Sequence, residues 1–489
     1  MSPFLPFTER LPAVPPFEHI LQRWGHLPYF LSLDSAMSPS RHGRYSFFGA
    51  DPFKILHVPF NGKKERTTAL PALQELDTSL EKFRSEKIQG LPPFQGGAAG
   101  LMGYEMAHSF EKLPVAPDVS FPMPSLLLGF YDVICAIDHL QGKSWLISHG
   151  FPETKEPFRT IRAKERLDSF KKLLVQRESP VHFTGTLPSF VPPEEKLFPT
   201  AVSGVYSNFS KEGYLEAVRQ IIEEIYCGEI FQANLSQTLF SKQIEVPSKT
   251  YLRLRKKNPA PFAAYFQTPE FSILSSSPER LCSVHNGCVE TRPIKGTRPL
   301  KLTDELYSSQ QRYELLRSTK DRAENTMIVD LLRNDLSKIC LPESVTVTEY
   351  CQLEEYQHVL HLVSAVVGKL RPNASAAAVV SAIFPGGSIT GAPKIRAMEI
   401  ITEHEKRRRG AYCGSIGYFG FEGTIDMNIL IRTITISSGW LQYSVGGGIT
   451  ANSTPEEEYA ETWAKAAGLI RSLPDYVETT ISCKAGQVF

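Results

Sequence analysis

A series of short runs rich in threonine and isoleucine, separated by glycine-bearing turns, most constrains how this chain folds. These runs occupy residues 271–276, 428–436 and 441–445. Such residues favour strands, and the turns between them favour antiparallel pairing over a regular βαβ repeat. Helical patterns alternate with them, at 211–228 and 313–339. The sequence therefore predicts an α+β fold, a layered sandwich of antiparallel β-sheets flanked by helices.

The first part of the chain has a similar mixture of elements. Residues 125–137 read as a strand, and residues 73–83 read as an amphipathic helix. A proline-rich stretch at 178–200 lacks a sustained apolar period and reads as a connector. We therefore divide the chain into an N-terminal region (1–177), this connector (178–200) and a larger region (201–475) that holds most of the chemistry-bearing motifs.

Charge and cysteine content exclude several classes of function. The chain has 489 residues, with 53 basic and 52 acidic side chains, so nothing in its charge favours a nucleic-acid partner. The eight cysteines form no CxxC pair, which argues against a zinc site and for reduced thiols. Apolar runs are too short to cross a membrane, and the first residues lack a secretory pattern. We expect a soluble cytoplasmic protein with no nucleic-acid or membrane partner.

Two glycine-rich segments, residues 384–394 and 445–449, are candidates for close approach to a ligand. Consecutive glycines let successive N–H groups converge on an anion. The alternative is that each is an ordinary tight turn. Neither matches the spacing of a P-loop or of a dinucleotide-binding fingerprint, so a nucleotide is disfavoured.

Acidic pairs spaced i, i+3 occur on two predicted helices. One helix begins with a predicted capping box, in which Thr454 is the N-cap, Pro455 is the first helical residue and Glu457 is N3. The acids could complement a helix dipole or solvate a surface. If the two pairs face each other, they instead supply the oxygen ligands that Mg²⁺ prefers. The four acids are Asp321, Glu324, Glu458 and Glu461.

Lys295 and His361 both lie in apolar strand-like runs. A lysine there is either a snorkelling or ion-paired side chain, or a nucleophile made neutral by burial. A histidine in such a run is more commonly a hydrogen-bonded core residue than a catalytic one. The basic run at 406–409 reads as a solvated loop.

Several long motifs occur in one order, and together they resemble the chorismate-utilising enzyme family. The resemblance is close over residues 228–467, and residues 94–104 are also similar to the family. It implies the layered fold of anthranilate synthase-like proteins and a chorismate-using activity. The motifs occupy residues 230–236, 277–280, 292–297, 321–331, 385–394, 414–418 and 446–449.

The resemblance also implies a magnesium site. Glu324 and Glu461 match the family's metal ligands, and Asp321 and Glu458 lie beside them or act through water. Asp321 departs from the glutamate often found at its position and is one methylene shorter.

Substrate-binding positions follow from the same resemblance. Arg432 and Tyr412 match residues that hold the enolpyruvyl carboxylate, and Gly446, Gly447 and Gly448 match those that hold the ring carboxylate. A dianion entering a dry site needs both charges compensated. The remaining implied pocket residues are Gln232, Ser388, Thr390 and Lys465.

Two residues discriminate between members of the family. Members that add water at C2 resemble one another in having a lysine base at the position of Gln232, and glutamine cannot deprotonate water. Anthranilate synthases carry alanine at the position of Lys295. The lysine form is similar to members that aminate chorismate at C4, giving 4-amino-4-deoxychorismate for p-aminobenzoate and folate synthesis. The alternatives are an anthranilate synthase large subunit or a non-enzymatic regulatory subunit that binds chorismate or tryptophan.

This resemblance implies a catalytic hypothesis with three residues. Neutral Lys295 attacks C2 while Glu279 protonates the departing C4 hydroxyl, and ammonia then displaces the lysine; His361 assists near the ring. Burial, or the nearby cations Arg292 and Arg298, would keep the lysine neutral.

The resemblance further implies external partners. Residues 412–416 do not form a glutaminase nucleophile elbow, so ammonia comes from solution or from a separate glutamine amidotransferase subunit. A segment in the first region resembles the place where the family can bind tryptophan, and tryptophan there is structural, regulatory or absent. Its residues are Asp34, Ser35, Arg44, Tyr45 and Ser46.

Overall fold

The computed structural model describes residues 4–37, 43–117, 121, 123–175, 191, 193, 195–300, 304–355 and 359–474. Most of the predicted connector at 178–200 lies outside the described residues. The α-helices are α1 (Phe17–Trp24), α2 (Glu65–Lys82), α3 (Phe158–Val175), α4 (Lys211–Tyr226), α5 (Pro247–Lys257), α6 (Glu305–Arg317), α7 (Thr319–Ser337), α8 (Ala376–Ile383), α9 (Lys394–Glu405) and α10 (Pro455–Ile470).

The strands before the connector are β1 (Phe7–Arg10), β2 (Leu31–Asp34), β3 (Tyr45–Gly49), β4 (Lys54–Pro59), β5 (Gly97–Met102), β6 (Pro124–Tyr131), β7 (Val133–Asp138) and β8 (Lys143–Ser148). Strand β9 (Phe198–Pro199) lies at the end of the connector. Those that follow are β10 (Tyr206–Ser207), β11 (Gln232–Lys242), β12 (Phe262–Gln267), β13 (Ser272–Ser277), β14 (Arg280–His285), β15 (Cys288–Arg292), β16 (Ile294–Pro299), β17 (Thr346–Glu355), β18 (Val359–Lys369), β19 (Gly391–Ala392), β20 (Ser415–Gly420), β21 (Ile425–Asn428), β22 (Thr433–Ser437) and β23 (Trp440–Ile449).

Within the described ranges, these strands form two antiparallel sheets. The larger runs in the order β1-β8-β7-β3-β2-β12-β13-β22-β23-β11-β10-β9, with β19 also paired to β11. The smaller runs β16-β18-β15-β14-β21-β20-β5-β6-β4, with β17 paired to β18. Both sheets contain strands from before and after the connector, and β2 pairs directly with β12. The two regions defined from the sequence therefore share both sheets.

Apolar side chains pack in three layers around these sheets. One cluster lies between the sheets and includes Phe47 from the larger sheet and Tyr418 from the smaller one. A second cluster packs α2, α7 and α8 on the smaller sheet. A third packs α1, α3, α5 and α10 on the larger sheet. The predicted α+β sandwich of antiparallel sheets flanked by helices is confirmed.

Three predicted elements are interrupted by a single residue or a short irregular stretch. The helix expected over 313–339 is two helices, because Ser318 ends α6 and caps α7, accepting a hydrogen bond from the Asp321 amide. Asp132 separates β6 from β7. The run at 428–436 is divided because Arg432 has a φ of 52°, which a strand does not accommodate.

The prediction for the basic run at 406–409 is wrong. Arg407 pairs with Glu195 at 3.0 Å, and Arg409 pairs with Glu405 at 2.7 Å. The Arg409 side chain is only 2% exposed. A run of cations in the sequence suggested exposure to solvent. In the structure the carboxylates of Glu195 and Glu405 compensate the charges of Arg407 and Arg409, which allows both arginines to be buried.

Candidate chorismate site

The candidate site begins where β11 and β23 pair in the larger sheet. Asn234 lies opposite Gly448 and Ser236 lies opposite Gly446. The Gln232 side chain is buried, and both its amide nitrogen and its amide oxygen lack a protein hydrogen-bond partner. Leaving such groups unpaired in a buried place is costly, so the amide is available to a ligand.

Glycine at 448 keeps this region open. A Cβ added there would lie 2.3 Å from the Gln232 amide nitrogen and 3.5 Å from the Lys295 ammonium nitrogen. A Cβ added at Gly447 would lie 2.9 Å from a Glu458 carboxylate oxygen and 3.4 Å from a Glu461 carboxylate oxygen. The glycine strand, residues 446–448 of β23, thus lies between Lys295 and the Gln232 amide on one side and the acids of α10 on the other.

Lys295 leaves the regular ladder of the smaller sheet. The register between β16 and β18 shifts between Ile294 and Thr297, and Gly296 within that shift has a φ of 85°. This conformation favours glycine and turns the chain around Lys295. Lys295 is half-buried; burial raises the pKa values of Glu279 and Glu324, the charge of Lys295 opposes that rise, and the same charge adds to the lowering of the Glu461 pKa by Lys465.

The two arginines expected to act on Lys295 are engaged elsewhere. Arg292 contacts Glu349 at 2.8 Å and Glu354 at 2.5 Å. Arg298 contacts Asp321 at 2.9 Å. Carboxylates at these distances compensate both guanidinium charges, so the hypothesis that these two cations keep the lysine neutral is not supported by the geometry.

Glu279 has the properties of a proton donor. Its side chain is 5% exposed, and burial raises its pKa, opposed by a hydrogen bond with Ser388 and by the charge of Lys295. A raised pKa keeps more of the carboxyl protonated near neutral pH. The sequence indicated Glu279 through the resemblance of residues 277–280 to the family.

The acidic pairs of α7 and α10 face a common region. Burial raises the pKa of Glu324, and Asp321 and Glu461 add to this increase. Glu461 accepts a hydrogen bond from Lys465 at 2.6 Å, which lowers the Glu461 pKa. Lys465 also donates to the Gly446 carbonyl at 2.7 Å and so links α10 to the glycine strand.

Glu458 is the most strongly perturbed of these acids. One of its oxygens accepts a hydrogen bond from Ser453 at 2.6 Å, and the other has no partner. Burial and the nearby Glu461 charge raise its pKa from 4.5 to about 7. Thr454 and Pro455 begin α10 at the predicted positions, but the predicted capping box does not form, because the Thr454 hydroxyl donates to the Glu457 carboxylate and accepts no hydrogen bond from a backbone N–H.

This perturbation predicts a pH-dependent stability in metal-free protein. Because the folded pKa is raised, folding takes up a proton between pH 4.5 and about 7, and stability falls as pH rises through that window. We expect Glu458→Gln to be more stable than wild type at pH 8 by on the order of 3 kcal/mol, with no such gain at pH 4. Urea unfolding at both pH values, with chelator present, measures this. Equal differences at the two pH values would contradict it.

The acids approach one another in pairs, and no group of three His, Cys, Asp or Glu side chains able to hold a metal occurs in the part of the chain that the structure describes. Mg²⁺ needs only one or two direct carboxylates, with water and substrate oxygens completing its octahedron. The unpartnered Glu458 oxygen and the mutual repulsion of Glu324 and Glu461 fit a bound cation. Lys320, which sequence reasoning missed, opposes the rise that burial causes in the pKa values of Glu324 and Glu458, and it adds to the lowering of the Glu461 pKa by Lys465.

Arg432 lies close enough to Tyr412 and to His361 to interact with both electrostatically. Burial lowers the pKa of Arg432, and the nearby Glu461 and Tyr412 side chains oppose this decrease. Arg432 and burial together lower the pKa of His361 to about 4, so this histidine is neutral. The Thr297 hydroxyl and the His361 Nδ1 lie 2.9 Å apart.

Thr390 is buried and donates to the Gly386 carbonyl at 3.0 Å, which holds the glycine segment at 384–394 in its turn.

The five residues suggested for tryptophan also come together, on β2 and β3. Ser46 donates to Asp34 at 2.9 Å, and Ser35 donates to the Tyr45 carbonyl at 2.6 Å. Arg44 pairs with Asp138 at 2.7 Å. Arg255 on α5, which was not predicted, pairs with Asp34 at 2.6 Å. Tryptophan binding here stays a prediction.

Comparison with known proteins identifies the family. A family model described as chorismate binding enzyme matches residues 40–471. The chain belongs to this family. It is similar to aminodeoxychorismate synthase component 1 of Escherichia coli strain K12, with 37% identity over 93% of this chain and 96% of that protein. It is equally similar to anthranilate synthase component 1 of Thermus thermophilus, with 37% identity over 88% of this chain and 90% of that protein.

A solved structure gives the same fold assignment for this chorismate binding enzyme. Anthranilate synthase component I from Streptococcus pneumoniae TIGR4 superposes with a TM-score of 0.71 at 28% identity, covering 88% of this chain and 92% of that chain. Among the described residues, no helix is long and apolar enough to cross a membrane.

Proposed function

We propose that this enzyme replaces the C4 hydroxyl of chorismate with an amino group, as aminodeoxychorismate synthases do, and that the product feeds p-aminobenzoate and folate synthesis. Overall identity does not choose between this reaction and anthranilate formation, since relatives of both kinds reach 37%. The observation that carries the proposal is Lys295, which lies beside the Gln232 amide and the glycine strand.

The first step joins the substrate to the enzyme. The neutral Lys295 amine forms a bond to C2, the ring double bonds shift, and the C4–O bond breaks. Glu279 gives its proton to the departing hydroxyl, which leaves as water. The raised pKa of Glu279 favours the protonated acid that this step requires.

The second step releases the lysine. Ammonia forms a bond to C4, the double bonds shift back, and the C2–N bond breaks with its electron pair returning to Lys295. Glu279, now a carboxylate, accepts a proton from the new C4 ammonium group. Because the lysine occupies C2, the amine is directed to C4.

The remaining side chains bind and orient the substrate. Arg432 and Tyr412 would hold the enolpyruvyl carboxylate, and the amides of 446–448 the ring carboxylate. Ser388 and the neutral His361 would contact the ring from the glycine segment and from β18. Mg²⁺, held by Glu324 and Glu461 with Asp321 and Glu458 nearby, would neutralise the ring carboxylate when bound.

Ammonia would come from a glutamine amidotransferase subunit. The similar proteins from Escherichia coli and Bacillus subtilis carry the designation component 1, which indicates a second component in those proteins. The oxygen of the Gln232 amide, which is unpartnered and lies near Lys295, would accept a hydrogen bond from ammonia.

Product analysis tests the proposal. With chorismate, Mg²⁺ and ammonium chloride, we expect a product that becomes p-aminobenzoate only after a separate aminodeoxychorismate lyase is added. Anthranilate, which is fluorescent and forms without any lyase, would instead show amination at C2. Lys295→Ala offers the matched comparison, because anthranilate synthases carry alanine there.

A further inference from the structure

A buried ion pair between Glu405 and Arg409 lies behind the candidate site, and the proposed mechanism makes no use of it. Glu405 is the last residue of α9, and Arg409 lies four residues later, beyond the end of the helix. Their side chains are 4% and 2% exposed. The guanidinium donates to both carboxylate oxygens, at 2.9 and 2.7 Å.

The same guanidinium holds two backbone segments of the site. It donates to the Ile389 carbonyl at 3.1 Å and to the Asn234 carbonyl at 2.5 Å. Ile389 lies between the pocket residues Ser388 and Thr390. Asn234 follows Gln232 by two residues on β11, so one side chain links the glycine segment to the strand that carries the free amide.

The carboxylate of Glu405 holds the same strand from its other end. One oxygen accepts hydrogen bonds from the Ser236 amide at 2.8 Å and from the Ser236 hydroxyl at 2.7 Å. Ser236 is the residue opposite Gly446 in the β11–β23 register. Through Ser236, the same ion pair therefore also holds the glycine strand in position.

Two aromatic rings enclose the guanidinium. Its central carbon lies 4.8 Å from the Tyr104 ring centre and 5.5 Å from the Tyr412 ring centre. The backbone amides of Arg409 and Gly410 donate to the buried Glu105 carboxylate at 2.7 and 3.0 Å. These contacts fix the start of the segment that presents Tyr412.

Stability alone is a poor reason to bury such a pair. Desolvating two charges is expensive, and apolar replacements of similar volume are often as stable or more stable. A planar guanidinium, however, can span several acceptors in a fixed geometry, which an ammonium cannot. We propose that the Glu405–Arg409 pair is a positioning device that fixes the walls carrying Gln232, Ser388 and Tyr412 around chorismate. The proposal rests on chorismate as the ligand, and not on which carbon is aminated.

Arg409→Lys tests this, since it keeps the charge but loses the planar fork. We expect kcat/KM for chorismate to fall by about 10- to 100-fold, as for a misplacement of about 1 Å, with KM for chorismate rising more than KM for ammonium. Chorismate affinity, titrated without ammonia, should weaken in parallel. Glu405→Gln, which retains an acceptor oxygen, should recover more of the affinity than Glu405→Ala.

Asp132→Asn is the matched control. It removes the charge of a buried carboxylate that contacts Arg166 at 3.0 Å. Arg166 lies on α3, which packs against α1, β1, β7 and β8, elements that carry none of the candidate site residues. We expect a lower unfolding temperature with unchanged kcat/KM and chorismate affinity.

A double variant decides the question if the single variants do not fold. Replacing both Glu405 and Arg409 by methionine substitutes an apolar contact for the ion pair, so the protein should fold and still bind chorismate weakly. Wild-type affinity in a folded variant that lacks the pair would overturn the proposal, as would an equal loss in Asp132→Asn. Anthranilate formation by the wild-type enzyme would remove the proposed function and leave this inference standing, because affinity is measured without turnover.

Discussion

Lys295→Ala is expected to lower the rate of 4-amino-4-deoxychorismate formation by at least about 10³-fold, because no other group replaces the attacking amine. Chorismate binding should change much less, since in the proposed function other residues bind the carboxylates of chorismate. Steady-state rates with ammonium, coupled to the lyase, and a separate chorismate titration measure the two effects.

Lys320→Ala is the comparison for this result. The charge of Lys320, like that of Lys295, opposes the rise that burial causes in the Glu324 pKa and adds to the lowering of the Glu461 pKa, but the Lys320 side chain is exposed. Removing it changes the charge near the acids without removing a nucleophile, so we expect a modest change in rate. If the two alanine variants lost activity equally, the role of Lys295 would be electrostatic, and the covalent mechanism would fail.

Glu324→Gln is expected to abolish magnesium binding and, with it, magnesium-dependent turnover. Binding to the folded state alone stabilises a protein by about 2.7 kcal/mol at a hundredfold excess of ligand over Kd. Saturating Mg²⁺ should therefore raise the unfolding temperature of the wild-type enzyme and leave that of Glu324→Gln unchanged. This readout is independent of catalysis.

Glu457→Gln is the control for the magnesium experiment. Glu457 lies in the first turn of α10 beside Glu458, but it is exposed. Its variant should retain the full response to Mg²⁺. A response that persisted in Glu324→Gln, or was lost in Glu457→Gln, would place the metal elsewhere.

The sequence predicted the layers of the fold better than the ends of its elements. Alternation and turn glycines are local signals, and they indicated antiparallel sheets directly. The division of 313–339 depends on one serine that caps α7, and the division of 428–436 depends on the backbone of Arg432. A single residue of this kind carries little weight in a periodic pattern.

For the site, residue types were predictable but pairings were not. The i, i+3 acids and the glycine run were visible in the sequence, and the structure brings one acidic pair, Glu458 and Glu461, to Gly447. Arg292 and Arg298 looked like free cations, because their partners Glu349, Glu354 and Asp321 lie at least 23 residues away along the chain. The burial of Arg409 was hidden for the same reason, since its backbone acceptors come from β11 and the glycine segment.

Intact-protein mass spectrometry of enzyme treated with chorismate and Mg²⁺, without ammonia, tests the central claim that Lys295 directs amination to C4. We predict a species heavier by chorismate minus one water, located by peptide mapping to Lys295, absent in Lys295→Ala and discharged by ammonium. An enzyme that turns over chorismate with ammonium yet never forms this species, under conditions where it binds chorismate, would contradict the account.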